Sequence, residues 1–595
     1  MDKDEKRNPL SYLFSKTWQY SEGNRKKIVW YWIMFIVANS IEMFFPPFIL
    51  AAIMGTIEKE GITSSNLKYL WGLLALTLVV ELVFWAIHAP ARCIERNNAF
   101  AVRRNYRQFL LQGVMTLPLE WHTEHHSGDT IDKIEKGTTA LFSFSEDSFE
   151  VIYAVVQLVV SYAVLAYFSH PAALIVLGMI VVSFWLTIQF DKIMIGQYKE
   201  LNHLENQISE SVFDAVSNIS TVIILRVEKL VFRAIMGRVE KPFDLFQRNQ
   251  RLNELKWCLT SLCCTVMTII VLGVYFWQNL NSSPGVLVAS LFILIRYLER
   301  ISDLFFKFTG RYGDILKYKS RILNAGELSQ DFRVENFSNH VLPKNWRTLN
   351  VSNLSFSYHN EDDPELHLNN VSFEARRGEK IALVGETGSG KTTFLKVMRD
   401  LYHPQELRLS VDGEEIPSGF EGINRAISLV PQDPEIFAST ILANITMGAE
   451  HDLAFVRHFT DVARFSEVVD GLPKGFDSST REKGVNLSGG QQQRLALSRG
   501  LLACHDKDIV LLDEPTSSLD TVTEVIVYQN IFQEFSGKTV ISTVHQLHLL
   551  PLFDRICVFD KGQIIAAGTI SELLLSCPKF VSLWEAMQRA RTEVE

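Results

Sequence analysis

Cysteine is scarce in this sequence, with seven in 595 residues. Cys263 and Cys264 are adjacent inside an apolar run, while Cys504, Cys557 and Cys577 are scattered through the C-terminal part. Such usage gives no disulfide framework and reads as single buried thiols. Positive charge is not in excess either. The formal net charge is −9, which leaves no basic footprint and argues against nucleic acid as a partner. No cleavable leader is expected, because residues 1–8 are highly charged. Beyond residue 310 excess apolar content is lacking; before it, apolar residues are concentrated enough to lift mean hydropathy to +0.09.

Six stretches there approach the roughly 20 residues that a bilayer requires. They are residues 28–50, 67–87, 151–168, 172–190, 259–277 and 286–306. The links after the first, third and fifth are short: GTIEKEGITSSN, SHP and QNLNSSPG. Those after the second and fourth are long and charged. Basic residues follow the same alternation. Arg25, Lys26 and Lys27 precede the first stretch; Arg92, Arg96, Arg103, Arg104 and Arg107 follow the second; Lys192, Lys199, Arg226 and Lys229 follow the fourth. The excess of Lys and Arg on one side predicts that both termini are cytoplasmic. Residues 10–20 (LSYLFSKTWQY) carry apolar positions at helical spacing and read as an interfacial helix or a short packing helix. His122, His125 and His126 (WHTEHH) read as a metal cluster or, more plainly, an exposed polar turn.

Charges inside such stretches are costly and invite a functional reading. The sixth holds Arg296, Glu299, Arg300 and Asp303; the first holds Glu42 and the second Glu81. Arg296 and Arg300 are four apart, on one helix face. Two readings stay open. Glu42, Glu81, Arg296 and Arg300 line a polar cavity for substrate, or the charges pair between helices.

The polar half carries phosphate chemistry. Residues 385–392 read GETGSGKT, the pattern G-x-x-x-x-G-K-[ST]. The apolar run KIALV enters it as a buried strand should. Gly385, Gly388 and Gly390 let the loop wrap an oxygen-rich ligand with its N–H groups inward, together with Glu386, Thr387 and Ser389. Lys391 brings an ammonium to the β/γ-phosphates, and Thr392 offers Mg²⁺ a hydroxyl. Thr393 continues into a helix whose positive end faces the phosphates. IVLLDEP at 509–515 reads as a central strand ending in acids. Asp513 would hold Mg²⁺, and Glu514 would be the general base for the attacking water. LSGGQ at 487–491 places Ser488, Gly489, Gly490 and Gln491 at a second helix start able to bind an anion. A second such site serves the same nucleotide only if two chains pair head to tail.

In this order the motifs resemble the ATPase domain of ATP-binding cassette (ABC) transporters, over roughly residues 347–585. The resemblance implies roles for further residues. Tyr358 in LSFSYHN would stack on adenine. Gln432 in SLVPQDPEIF would sense the γ-phosphate and join Thr392 and Asp513 around Mg²⁺. Residues 517–520 (SSLD) would cross a dimer interface, and His545 in VISTVHQLH would be the switch histidine. Ahead of LSGGQ, Arg481 stands where exporters of this family often carry glycine, although Glu482 fits. Six spans followed by one cassette resemble an exporter-type half-transporter. The fold expected is therefore multidomain: an all-α six-helix transmembrane domain, then an α/β P-loop ATPase.

The expected boundaries are 1–25 for the N-terminal helix, 26–317 for the membrane domain, 318–346 for a polar linker and 347–595 for the ATPase. By resemblance, small coupling helices are expected near 127–141 and 213–220. The function implied is ATP-driven export of an amphipathic lipid, peptide or drug-like molecule, with ATP and Mg²⁺, from a cell (inner) membrane. A regulator or gated pore that pumps nothing would carry the same motifs. All hydrolysis residues are intact in one chain, which favours a homodimer over a heterodimer.

Overall fold

The computed structural model describes residues 7–125, 127–280, 287–332, 342–358, 367–480 and 487–592. His126, Arg481, Glu482, the first residue of the sixth stretch and residues 333–341 of the expected linker lie outside them. The chain forms two compact units, divided between Val334 and Glu335 apart from Pro118–Trp121.

The first unit is helical. α1 (Pro9–Tyr20) starts at Pro9, where the missing N–H costs nothing, and the Asn8 side chain accepts from the N–H of Leu10 at 3.0 Å. It buries Tyr12, Leu13, Thr17 and Tyr20. α2 (Arg25–Glu60) and α3 (Leu67–Met115) follow, then α4 (Leu119–Glu124), α5 (Ser127–Glu146), α6 (Ser148–Phe168), α7 (His170–Ser217), α8 (Ile219–Ile224), α9 (Glu228–Glu240), α10 (Phe243–Gln278) and α11 (Leu287–Glu327). α3 has 49 residues, about 74 Å at 1.5 Å per residue, so it runs far beyond a bilayer core of ~30 Å. α7, with 48 residues, does the same.

By length and composition, five helical stretches are apolar enough to cross a membrane among the described residues. They contain the first five expected spans. The sixth is one continuous helix, α11, but Arg296, Glu299, Arg300 and Asp303 dilute its apolar content. α11 also continues through the start of the expected linker, because Ile322 and Ala325 are buried there. Of the two very short helices, α4 ends just before the first expected coupling segment, and α8 overlaps the end of the second at Ile219 and Ser220. Residues 127–141 belong to α5, a 20-residue helix with a buried face that includes Ile134 and Leu141. The chain breaks instead before Pro118 and at Asn218.

Several buried polar groups in this unit are matched across helices. Glu95, 0% exposed, accepts from the Ser148 hydroxyl at 2.6 Å and the Phe149 N–H at 2.8 Å, so α3 caps the start of α6. Lys256 of α10 donates to Asp191 of α7 at 3.1 Å and to the Thr309 carbonyl of α11 at 3.1 Å. α2 contains Pro46 and Pro47. Each removes an N–H and frees the carbonyl four residues back, those of Glu42 and Met43. α11 supplies the missing donors: the Tyr297 hydroxyl and Arg300 donate to the Met43 carbonyl, and Arg300 reaches the Glu42 carbonyl at 3.4 Å.

The second unit is α/β. A six-stranded sheet has the order β10-β9-β3-β8-β7-β6, with β3 (Lys380–Val384), β6 (Ile427–Val430), β7 (Ile509–Asp513), β8 (Thr539–Thr543), β9 (Arg555–Asp560) and β10 (Gln563–Gly568). All pairs are parallel except β9–β10. β3, β7 and β8 are buried at every position; β3 and β7 accordingly read as mostly apolar runs, while β8 (TVIST) buries hydroxyls as well. An antiparallel sheet, β2-β1-β4-β5, holds β1 (Thr348–Phe356), β2 (Leu368–Arg376), β4 (Glu406–Val411) and β5 (Glu414–Glu415). The helices that matter below are α12 (Lys391–Met398), α13 (Gly489–Ala503), α14 (Thr521–Glu534) and α15 (Pro578–Thr592). All seven cysteines are free thiols, four of them buried.

Candidate nucleotide site

β8 lies between β3 and β7, with Asp513 opposite Thr543. Three adjacent parallel strands therefore end side by side, at the edge where open α/β sheets bind ligands. The loop leaving β3 is 385–390. Gly388 and Gly390 adopt φ of 83° and 104°, a region that favours glycine. A Cβ at Gly385 would meet the Phe559 carbonyl oxygen at 2.4 Å, so no side chain fits there. Lys391 opens α12 and is buried. Its Nζ donates to the Gly385 and Glu386 carbonyls at 2.9 and 3.0 Å. Burial pushes its pKa below the ordinary lysine value, opposed by the charges of Glu514 and Asp513.

Asp513 ends β7 with 3% exposure. One carboxylate oxygen accepts from Thr392 at 3.0 Å and Thr543 at 2.9 Å. Burial raises its pKa, and those two hydrogen bonds hold it down. Glu514 follows in a left-handed conformation, φ 46°. Gln432 donates to one of its carboxylate oxygens at 2.9 Å, and His545 Nε2 stands 2.6 Å from the other. A cavity of about 510 Å³ faces these groups, lined by residues 387–393 with Gln432, Glu514 and His545. The P-loop, Glu514, the glutamine and the histidine, distant in sequence, thus converge on one volume, and Asp513 is tied to it through Thr392.

Ser488 caps α13 in a reciprocal box with Gln491: its hydroxyl accepts from the Gln491 N–H, and the Gln491 side chain accepts from the Ser488 N–H at 3.0 Å. Neither these two nor Gly489 and Gly490 line that cavity. Tyr358 is packed edge-on against His367, ring centroids 4.8 Å apart, and its hydroxyl reaches Thr393 at 3.4 Å.

Several site residues carry no motif signature. His367 lines the cavity. Thr543 bonds both Asp513 and, at 2.8 Å, the Glu514 N–H. Gln493 of α13 donates to the Glu514 carbonyl at 3.3 Å and to Ser517 at 2.9 Å, and accepts from the Ser518 N–H at 2.8 Å. Lys579 of α15 bridges Glu386 at 2.8 Å and Asp560 at 3.4 Å. Only Thr543 was within reach of sequence, as the last residue of an apolar strand two before His545.

Among the described residues the four membrane candidates form no direct ion pair with one another, although Arg300 lies within electrostatic reach of Glu42 and Arg296, and Glu42 within reach of Glu81. Arg296 pairs with Glu299 on its own helix at 2.9 Å, both about half exposed. Glu81 accepts from Trp85 of its own helix at 2.8 Å. Arg300 turns to the proline-freed carbonyls of α2, the Glu42 main chain among them. None of the four lines the cavity of about 580 Å³ found in this unit.

Comparison with known proteins covers both units. Residues 29–298 match the family model described as ABC transporter transmembrane region, and residues 368–517 match ABC transporter. The Bacillus subtilis glutathione/L-cysteine transport system ATP-binding/permease protein CydD is 25% identical over 571 residues, 93% of this chain and 96% of that protein. The ATP-dependent lipid A-core flippase of Ralstonia nicotianae is 37% identical over 231 residues, 38% of each chain. A solved structure of a bacterial Atm1-family ABC exporter with ATP bound superposes with a TM-score of 0.84 at 22% identity, over 95% of this chain and 99% of that one.

Proposed function

The chain belongs to the ABC transporter family as an exporter-type half-transporter and is a multi-pass membrane ATPase; from that premise we propose that it exports an amphipathic substrate as a dimer. The observation that carries the catalytic part is Glu514, held between Gln432 and His545 over the P-loop cavity.

In this reading ATP enters with its phosphates against residues 385–393 and its adenine on Tyr358. Lys391 leaves the Gly385 and Glu386 carbonyls for the β/γ-phosphates, exchanging neutral acceptors for charged ones. Glu514 takes the proton of the attacking water, Gln432 orients that water, and His545 contacts the γ-phosphate. The Thr392 hydroxyl, the buried Asp513 carboxylate and the Gln432 amide form a hard oxygen set suited to Mg²⁺. Bound there, Mg²⁺ would neutralise phosphate charge.

Dimerisation is supported from two sides. Ser488 and its helix start do not line the chain's own cavity, so a nucleotide for them would come with a second chain. α8 and α9 bury no residue, and Phe213, Ile224, Leu230 and Phe232 are all more than half exposed. A homodimer follows most simply, since Lys391, Gln432, Ser488, Asp513, Glu514 and His545 are all present. The basic residues around the long loops support cytoplasmic termini and ATPase in a cell (inner) membrane. The relatives' names span glutathione, lipid A and heavy metals, so they do not select the substrate. The test is ATP-dependent accumulation of lipids, peptides and dyes in inside-out vesicles. Accumulation of one class supports export; none across all three, with ATPase intact, favours a regulator or pore.

A further inference from the structure

Glu514 and His545 are not the only carboxylate and imidazole that join their two loops. Glu524 of α14 is 4% exposed, and its carboxylate is shared between them. Oε1 accepts from the hydroxyl of Thr516, two residues after Glu514, at 2.6 Å. Oε2 stands 3.0 Å from Nε2 of His548, three residues after His545. Burial drives the Glu524 carboxyl above its usual range, and the Thr516 hydroxyl and the His548 charge pull it back. One turn along α14, the buried Tyr528 hydroxyl lies 2.8 Å from that of Ser542. Ser542 precedes Thr543, which bonds Asp513 and the Glu514 N–H. One face of α14 thus grips the loop of Glu514, the end of β8 and the turn of His545. Thr516, Glu524 and His548 do not line the nucleotide cavity, so any effect on nucleotide passes through the residues they hold.

The reaction treats the two pairs differently. The 2.6 Å contact of Glu514 with His545 has to open, because Glu514 turns to water and His545 to the γ-phosphate. Glu524 and His548 lie outside the cavity, so nucleotide does not compete for either. A buried carboxylate stripped of its partner is costly, and that cost resists separation of the two loops. We propose that Glu524 and His548 are positioning residues for hydrolysis: with Thr516 they form a bridge that fixes the spacing of Glu514 and His545 once ATP has parted them. The bridge is short on both sides, two residues to Glu514 and three to His545, so a slip at Glu524 is passed on directly. A misplacement of about 1 Å can cost on the order of a hundredfold in rate. The inference rests on the catalytic reading of Glu514 and His545 and adds the residues that hold them in register.

The test uses the full chain in nanodiscs. ATPase kinetics, affinity for a fluorescent ribose-labelled ATP and thermal midpoints are read together. Thr516→Val removes the hydroxyl at nearly constant volume, His548→Ala removes the imidazole, and Glu524→Gln keeps an acceptor for Thr516 without the charge. Each should lower kcat about tenfold or more while KM and nucleotide affinity stay within about twofold. Thr516→Ser, which keeps the hydroxyl, should restore kcat to near wild type. Thr516 and His548 act through one carboxylate, so the double variant Thr516→Val/His548→Ala should lose about as much as either alone. Wild-type kcat in folded Thr516→Val and His548→Ala overturns the proposal. So does a loss confined to KM, or losses that multiply in the double variant. If Glu524→Gln does not fold, the other two variants decide. Glu514→Gln is measured beside them. Wild-type turnover there removes Glu514 as base, and kcat losses in the bridge variants then place the bridge behind His545 alone. A dead Glu514→Gln with normal bridge variants keeps the base and overturns the bridge.

Discussion

Glu514 holds a left-handed backbone that costs a residue with a side chain roughly 1–2 kcal/mol, just ahead of Pro515. Thr543 accepts its N–H and Gln493 donates to its carbonyl, so the strain is held from both sides of the peptide unit. Glu514→Gln keeps the shape and both polar neighbours but removes the basicity. ATP binding should persist while turnover falls roughly a hundredfold to ten-thousandfold; ATPase near wild type would remove Glu514 from the role of base. A second prediction at this scale concerns Lys380, which is buried and donates to the Phe535 and Lys538 carbonyls. Burial pushes its pKa down to about 8. Between about pH 8 and the unfolded value near 10.5 the unfolded chain holds the extra proton, so stability from this site rises with pH. Below pH 8 the cost of burying the charged form is fully present. Wild type should gain on Lys380→Met by on the order of 1–3 kcal/mol from pH 7.5 to 10, read as the difference in thermal midpoint of the ATPase unit. A difference flat in pH would contradict it.

The proline pair in α2 and the donors on α11 form one unit at the scale of elements. Arg300→Leu leaves the Glu42 carbonyl without a donor and should cost roughly 1–3 kcal/mol. Pro46→Ala returns an N–H to that same carbonyl, so the loss should shrink in the double variant. Arg296→Ala should change stability little, because its pair is exposed and lies within one helix. Thermal melts of the four chains decide it; equal losses for Arg300→Leu with and without Pro46 would break the link. This pair also marks the limit of what sequence could tell. The spans and the P-loop strands were legible because burial on all sides leaves unbroken apolar runs. The convergence of Lys391, Gln432, Asp513, Glu514 and His545 followed from motif order. Which partner an intramembrane Arg chooses depends on which helix faces it, and no period in α11 names the carbonyls of α2. Gln493 was hidden similarly, in a run of three glutamines of which only one turns toward the acid loop.

At the scale of the whole molecule, the chain expressed alone should purify as a dimer with two active sites. Its mass and ATPase in nanodiscs test that; an inactive monomer revived only by a different half-transporter would overturn the homodimer. The same dimer gives α13 a double attachment. Its first residue is capped by Ser488, proposed to touch the partner's nucleotide, and one turn later Gln493 grips the acid loop of its own chain. One rigid rod of about six residues thus connects the arrival of fuel at one engine to the ignition timing of the other. The two engines cannot then keep separate time: the hydrolysis rate at either site should carry a record of occupancy at its twin, and Gln493→Ala should let them drift out of step, seen as a Hill coefficient for ATP falling toward one.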